Sequence, residues 1–310
     1  MFIDPVGNSK AKAPEERNVL GGRSSEQCSA PPELRTIVGH GDYKHLVPPG
    51  LVAIVSTLLL AAFSLVLFSS CRTKTPTRNR ANERGLPHII LWAWERPEDL
   101  GFIDPQRFGV AFLAQTLALS GEEVVLNLRR QPLKVTPETK LIAVTRIESQ
   151  RTTGKRAALN QAQRERLVSL ILKTRELPNV SAIQIDFDAV TSEREFYRAL
   201  LGDLRKQLPD GVPLSMTALA SFCLGDRWLS DLPVDEAVPM IFRMGADDKP
   251  IRNFLAGGSD FNEPLCRKSY GIALDEPLQM KFDDARRVFI FNARAWTEKD
   301  LASLPATIQK

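Results

Sequence analysis

Histidine is almost missing from this chain: there are three, His40, His45 and His88, and none lies beyond the first third. Their placement leaves no side chain for a histidine-based catalytic triad or a zinc centre. Metal binding by the carboxylates Asp186, Asp188 and Glu276 is the weaker alternative, and the expectation is no metal and no cofactor. A glycine-rich phosphate loop is also absent after the first predicted strand, which argues against nucleotide binding. Net charge is only +4, and part of it sits in one basic tract, so nucleic acid is not an expected partner. No internal repeat is found. What remains is globular composition, 43% hydrophobic and 25% charged over 310 residues, with room for one large or two ordinary domains.

Residues 1–49 are rich in proline, glycine, serine and charge with little periodicity, and read as a disordered leader or the product of a mis-assigned start. Residues 51–70, LVAIVSTLLLAAFSLVLFSS, carry no charge. A helix of that length crosses a bilayer core of about 30 Å. The run ends in Leu67-Phe68-Ser69-Ser70-Cys71, which resembles the lipobox of bacterial lipoproteins and implies lipidation at Cys71, with Phe68 as the departure. Arg72, Lys74, Arg78, Arg80 and Arg84 follow, and charge bias alone would keep that side in the cytoplasm. The expectation is nevertheless export. Residues 50–71 are a transmembrane or lipoprotein signal segment, residues 72–87 a basic tether, and residues 88–304 a domain on the periplasmic or extracytoplasmic side of the cell membrane.

From residue 88 onward, short apolar strands alternate with amphipathic or turn-bearing stretches. Strands are predicted at 88–95, 124–128, 141–147, 181–188, 214–219, 237–242, 270–274 and 287–291. Helices are predicted at 106–119, from the spacing of Phe108, Phe112, Leu113 and Leu117, and at 161–176. Another begins at the Ser192 and Glu195 capping box and runs through Phe196, Leu200 and Leu204. Eight strands in roughly 215 residues suit a (β/α)8 barrel, TIM-like and somewhat irregular, since residues 131–139 leave little room for a helix. A doubly wound open sheet is the alternative.

The stretch Ser181 to Ala189 carries the chemistry. Side chains at i and i+2 of a strand share a face, so Asp186 and Asp188 point the same way, with Cα atoms about 6.5 to 7 Å apart, while Ile183, Ile185 and Phe187 bury the other face. Paired carboxyls divide acid and base work when their environments differ. A helix cap or a structural ion pair is the competing explanation. Chemistry in such barrels collects where strands end. There the sequence places Trp94 and Glu95 on the first strand, Arg146 on the third, Thr217 on the fifth, Arg243 on the sixth and Glu276 on the seventh, all candidate substrate contacts.

The strand at 183–188 with its TSEREFYRALL continuation, Pro213-Leu214-Ser215-Met216-Thr217-Ala218-Leu219-Ala220-Ser221, and Glu236-Ala237-Val238-Pro239-Met240-Ile241-Phe242-Arg243-Met244-Gly245 resemble an uncharacterised bacterial family of exported, TIM-barrel-like proteins. More distantly, the fourth strand resembles the D-G-x-D-x-D-x-E signature of chitinase-like glycoside hydrolases. Asp186 matches the last Asp, Asp188 stands where the catalytic Glu belongs, and Ser181, Ala182 and Gln184 depart from the motif. Phe242 stands where those enzymes carry a tyrosine. The resemblance implies that Asp188 acts as general acid with Asp186 as its orienting partner.

Several residues have plainer explanations. Trp92 and Trp94 are core or sugar-stacking rings. Arg146 and Arg243 either neutralise the acids or bind anions. Glu193 is accounted for by its place at a helix start and stays outside the site. An exported domain permits a Cys223–Cys266 disulfide. The strand order counts against it, because Cys223 follows a strand and Cys266 precedes one, at nominally opposite barrel ends, and only an irregular loop would bring their Cα atoms within about 7 Å. The functional expectation is a membrane-tethered, glycoside-hydrolase-like barrel acting on an envelope or environmental polysaccharide. The alternative is a non-catalytic barrel that binds glycan or protein.

Overall fold

Strands buried on both faces organise the molecule, because a chain segment with no polar face can only be covered on both sides. The computed structural model describes residues 85–305 and 308. Eight parallel strands close into a barrel: β1 (Ile89–Ala93), β3 (Phe108–Ser120), β6 (Leu141–Ser149), β7 (Val180–Asp186), β8 (Leu214–Leu219), β9 (Glu236–Met240), β10 (Ser269–Ala273) and β11 (Arg287–Phe291). Closure is made by β1, which pairs in parallel with both β11 and β3. A short parallel pair, β2 (Glu98–Leu100) with β5 (Leu133–Val135), forms a separate two-stranded sheet. The barrel with intervening helices is TIM-like. No helix among the described residues is long and apolar enough to cross a membrane, and residues 51–71, with Cys71, lie outside the described residues.

Helices cover only part of the outside. α1 (Gln161–Lys173) joins β6 to β7, α2 (Arg194–Gln207) joins β7 to β8, and α3 (Asp248–Ala256) lies between β9 and β10, while α4 (Glu298–Ala302) follows β11. α1 starts at Asn160, whose side chain accepts from the Gln163 N–H at 2.9 Å. α2 buries Phe196, Tyr197, Leu200, Leu201 and Leu204 against the strands. The Ser192 and Glu195 capping box is not what starts it. A 3-10 turn at Thr191–Glu193 precedes α2, and the Glu193 carboxylate accepts from the Val190 N–H at 2.9 Å.

Two elements differ from expectation. Residues 106–119, read as a helix, form β3, the second barrel strand, which is buried over its first eight residues. Residues 124–128, read as a barrel strand, belong to β4 (Glu123–Leu128), an antiparallel hairpin partner of β3 outside the barrel. The cause is double-sided burial: Phe108, Phe112, Leu113 and Leu117 are spaced like a helix face, but all the residues between them except Thr116 are buried too. A bulge between Leu113 and Gln115 in the β3–β6 pairing extends the mismatch. The number of barrel strands stays at eight and their order follows the chain.

Cys223 and Cys266 are bonded, with Cα atoms 5.9 Å apart. No helix joins β8 to β9; instead the chain returns through 3-10 turns at Ala220–Cys223 and Arg227–Leu229. The Cys223 carbonyl accepts from the backbone of Asn262 and Glu263, and Cys266 lies in the 3-10 turn Pro264–Arg267. The strand order does not keep the two apart, because Cys223 lies beyond the strand's end on this irregular descending connection.

The barrel interior is a cluster of Ile90, Trp92, Ala111, Ile142, Val144, Ala182, Val238 and Phe289, distinct from the larger core beneath the helices. Ile183, Ile185 and Phe187 belong to the outer core, and Ala182 to the interior. Asp186, on the parity of Ala182, therefore faces the inside of the barrel's C-terminal mouth. The opposite end is closed by a buried ion pair, Arg287 Nη1 to Glu236 Oε1 at 2.9 Å, with Arg287 Nε donating to the Pro87 carbonyl at 3.1 Å.

Candidate active site

Inside the barrel, the Trp92 indole N–H donates to Gln184 Oε1 at 2.8 Å, and Gln184 Nε2 donates to Ser215 Oγ at 3.2 Å. The Trp92 ring packs 5.3 Å from Phe289. This satisfied polar chain, set among aromatic rings, forms the floor beneath the next inward residue of β7, Asp186.

Asp186 is the last residue of its strand and only 6% exposed. Thr217, inward on neighbouring β8, donates to Oδ1 at 2.8 Å. Arg146 on β6, the register partner of Asp186, brings Nη1 to 3.7 Å from Oδ2 and places Nε 3.0 Å from Glu148. Burial dominates the electrostatics and pushes the Asp186 carboxyl up to about 6. The Thr217 hydroxyl and Arg146 oppose that rise, while the negative charges of Asp188 and Glu148 add to it.

Asp188 lies two residues on, past the strand's end, and is exposed. Its backbone carbonyl accepts from Arg151 Nη2 at 2.9 Å, and Arg151 is gripped by the Glu193 carboxylate through Nε at 2.9 Å and Nη2 at 2.8 Å. Ser149 Oγ also donates to Glu193. Burial alone would raise the Glu193 carboxyl, but these bonds, led by Arg151, hold it below its usual range. Glu193, set aside on sequence grounds as a helix-start residue, therefore positions the segment that carries Asp188.

The two carboxyls open into a cleft of about 320 Å³. Trp94, Phe242 and Phe291 form its aromatic wall. Phe242 stacks on Phe291 at 5.5 Å with an interplanar angle of 7°, and Trp94 meets Phe291 edge-on at 6.4 Å. Arg129 steadies Trp94 from below by donating to its carbonyl and, at 2.6 Å, to that of Arg96. The Arg243 guanidinium lies 4.9 Å from the Phe291 ring centre. Arg243 has a left-handed backbone, φ 52°, and its N–H is held by Glu276 Oε2 at 3.1 Å. That conformation is costly for a residue with a Cβ and persists only where its surroundings impose it.

Of the residues expected from sequence, Trp94, Arg146, Asp186, Asp188, Thr217 and Arg243 line this one cleft. Glu276 does not line it and instead holds Arg243 from behind, pairing also with Arg252 at 2.9 Å. Glu95 is exposed and away from the cleft, accepting from the Arg130 N–H at 3.5 Å. Phe291, Met240 and Arg151 were missed. Phe291 carries the same signal as the polar candidates, since it is the last residue of the eighth strand.

No family model matches the chain, so the resemblance of its strands to an exported bacterial family does not become membership, and no curated protein matches it. Among solved structures it is similar to the spore cortex-lytic enzyme SleL of Bacillus cereus, with 18% identity over 60% of this chain and a TM-score of 0.39. The chain spans half the length of that protein, 50%. It is also similar to the chitinase domain of the spore coat protein CotE from Clostridium difficile, with 14% identity over 71% of this chain and 66% of that one, at a TM-score of 0.36.

Proposed function

We propose that the barrel hydrolyses a glycan, with Asp186 as the proton donor and Asp188 as the base that activates water. The observation that carries this reading is the contrast between the two carboxyls: Asp186 is buried and held at about 6, Asp188 is exposed, and both face one aromatic-walled cleft. The roles are the reverse of those implied by the chitinase-like motif, because a proton is retained by the carboxyl that burial keeps neutral. Protonated Asp186 gives its proton to the glycosidic oxygen, the bond from that oxygen to the anomeric carbon breaks, and the leaving sugar departs with the proton. A water adds at the anomeric carbon, Asp188 accepts its proton, and exchange with solvent restores both groups. Phe242, Phe291 and Trp94 supply the apolar faces on which a sugar ring stacks.

The proposed setting is a barrel tethered to the cell membrane and facing outward, acting on an envelope or environmental polysaccharide. The uncharged run at 51–70, the lipobox-like ending at Cys71 and the Cys223–Cys266 bond support it, since disulfides persist in oxidising compartments.

A panel of bacterial exopolysaccharides, cell-wall fragments and chitin oligomers tests the activity. At least one is expected to be cut, at a rate that declines as pH rises through about 6, because the proton-bearing form of Asp186 is lost there. Asp186→Asn lowers turnover by about 10² to 10⁴. Binding without cleavage, unchanged in Asp186→Asn and Asp188→Asn, would instead identify a non-catalytic binding barrel.

A further inference from the structure

The acid pair is not at the end of its cleft. A second depression of about 230 Å³ opens on the other side of it, sharing Arg146, Asp186 and Asp188 with the first and adding Glu148, Ser149 and Arg151. About eight liquid waters would fill that volume, which is enough for one sugar ring. The two sides differ in chemistry. All the rings open to ligand are on the Phe242 side, whereas Phe187, which borders the second depression, is turned into the outer core against Tyr197 at 5.1 Å.

The second depression is instead walled by fixed charges. Arg151 is held by two bonds to Glu193 and one to the Asp188 carbonyl, so its guanidinium is preorganised. Glu148 is half-exposed and tied to Arg146 at 3.0 Å. Donors and acceptors of this kind suit sugar hydroxyls, and near-surface hydrogen bonds exchange readily with water. Strong apolar grip on one side of a scissile bond and exchangeable polar contacts on the other hold the reacting ring while letting the departing part go.

Resting on the hydrolase reading above, we propose that this second depression binds the leaving portion of the glycan, so that a polymer lies across Asp186 and Asp188 and is cut within its chain. A barrel with a single-sided cleft would take sugars from an end.

The test uses the full chain in detergent with chitin hexamers and cell-wall glycan strands labelled at the reducing end, and follows product lengths from the first time points. Internal products are expected from the outset. Glu148→Trp, which fills the second depression, is expected to lose internal cuts and at least tenfold in kcat/KM on the hexamer, with its melting temperature reporting that it is folded. Glu148→Gln removes the same charge without filling the depression, so its rate and pH profile report loss of the Arg146 pairing and of the charge that raises Asp186, and the further loss of internal cuts in Glu148→Trp over Glu148→Gln reports occupation of the depression. Release of single sugars from one end, or internal cutting that survives Glu148→Trp, would overturn this inference and leave the hydrolase reading standing. Absence of cleavage of every glycan, with or without binding, would remove the hydrolase reading and this inference with it.

Discussion

A carboxyl that burial holds at about 6 stabilises the fold only while it keeps its proton, and an unfolded chain releases that proton at the ordinary 3.8. Between those two values the native state binds more protons than the unfolded state, so stability falls as pH rises from 3.8 to about 6 and stays lowered above it. With one pKa unit equivalent to about 1.4 kcal/mol, the penalty at neutral pH is up to about 3 kcal/mol. Asn cannot ionise, and its side-chain oxygen still accepts from Thr217. Asp186→Asn is therefore expected to melt above the wild type at pH 7 to 8, with the difference vanishing near pH 4. Thermal melts across that range check it, and a variant that melts lower at pH 7 would show that Asp186 is a stabilising ion rather than a strained acid. A site residue that the fold would be more stable without is one whose presence needs a functional reason.

Among the elements, sequence pattern served well where a strand has one polar end and poorly where it has none. β7, β8, β10 and β11 were legible because their apolar runs are short and bounded by turn residues. β3 was not, because thirteen residues that are almost all apolar or small fit a helix template as well as a strand. Gly109 within it was the available clue: a Cβ there would lie 2.7 Å from Ile90 Cδ1 and 3.2 Å from the Lys140 carbonyl, so the glycine marks close approach of neighbouring strands. Gly271 on β10 is less forgiving, because its would-be Cβ lies 2.8 Å from a backbone atom, the Pro239 carbonyl, and 3.1 Å from the Trp92 ring. A neighbouring strand's carbonyl cannot yield without opening the barrel. Gly271→Ala is expected to cost about 1 to 3 kcal/mol, whereas Gly202→Ala, in α2 with open space around it, is expected to gain about 0.5 to 1 kcal/mol. Denaturant melts of the two variants check the pair, and equal effects would contradict the barrel packing described.

For the whole molecule, the barrel has two unlike ends. One is sealed by the Arg287–Glu236 pair and the other opens onto Asp186, so every strand runs from a closed pole to the site. That polarity made the site legible: once eight strands were counted, the strand-end rule brought six of the eight expected contacts into one cleft. Two features depend on tertiary packing and had no local signature. The Cys223–Cys266 bond requires the irregular return from β8, and the contrast in burial between Asp186 and Asp188, on which the proposed roles rest, requires knowing that the strand stops at the first of them. The central claim, that the barrel mouth keeps one carboxyl protonated for chemistry, is tested most directly by titrating the ¹³C carboxyl resonance of Asp186, assigned by its loss in Asp186→Asn. A midpoint near 6 is the expected result, and a midpoint at the ordinary 3.8 would contradict it.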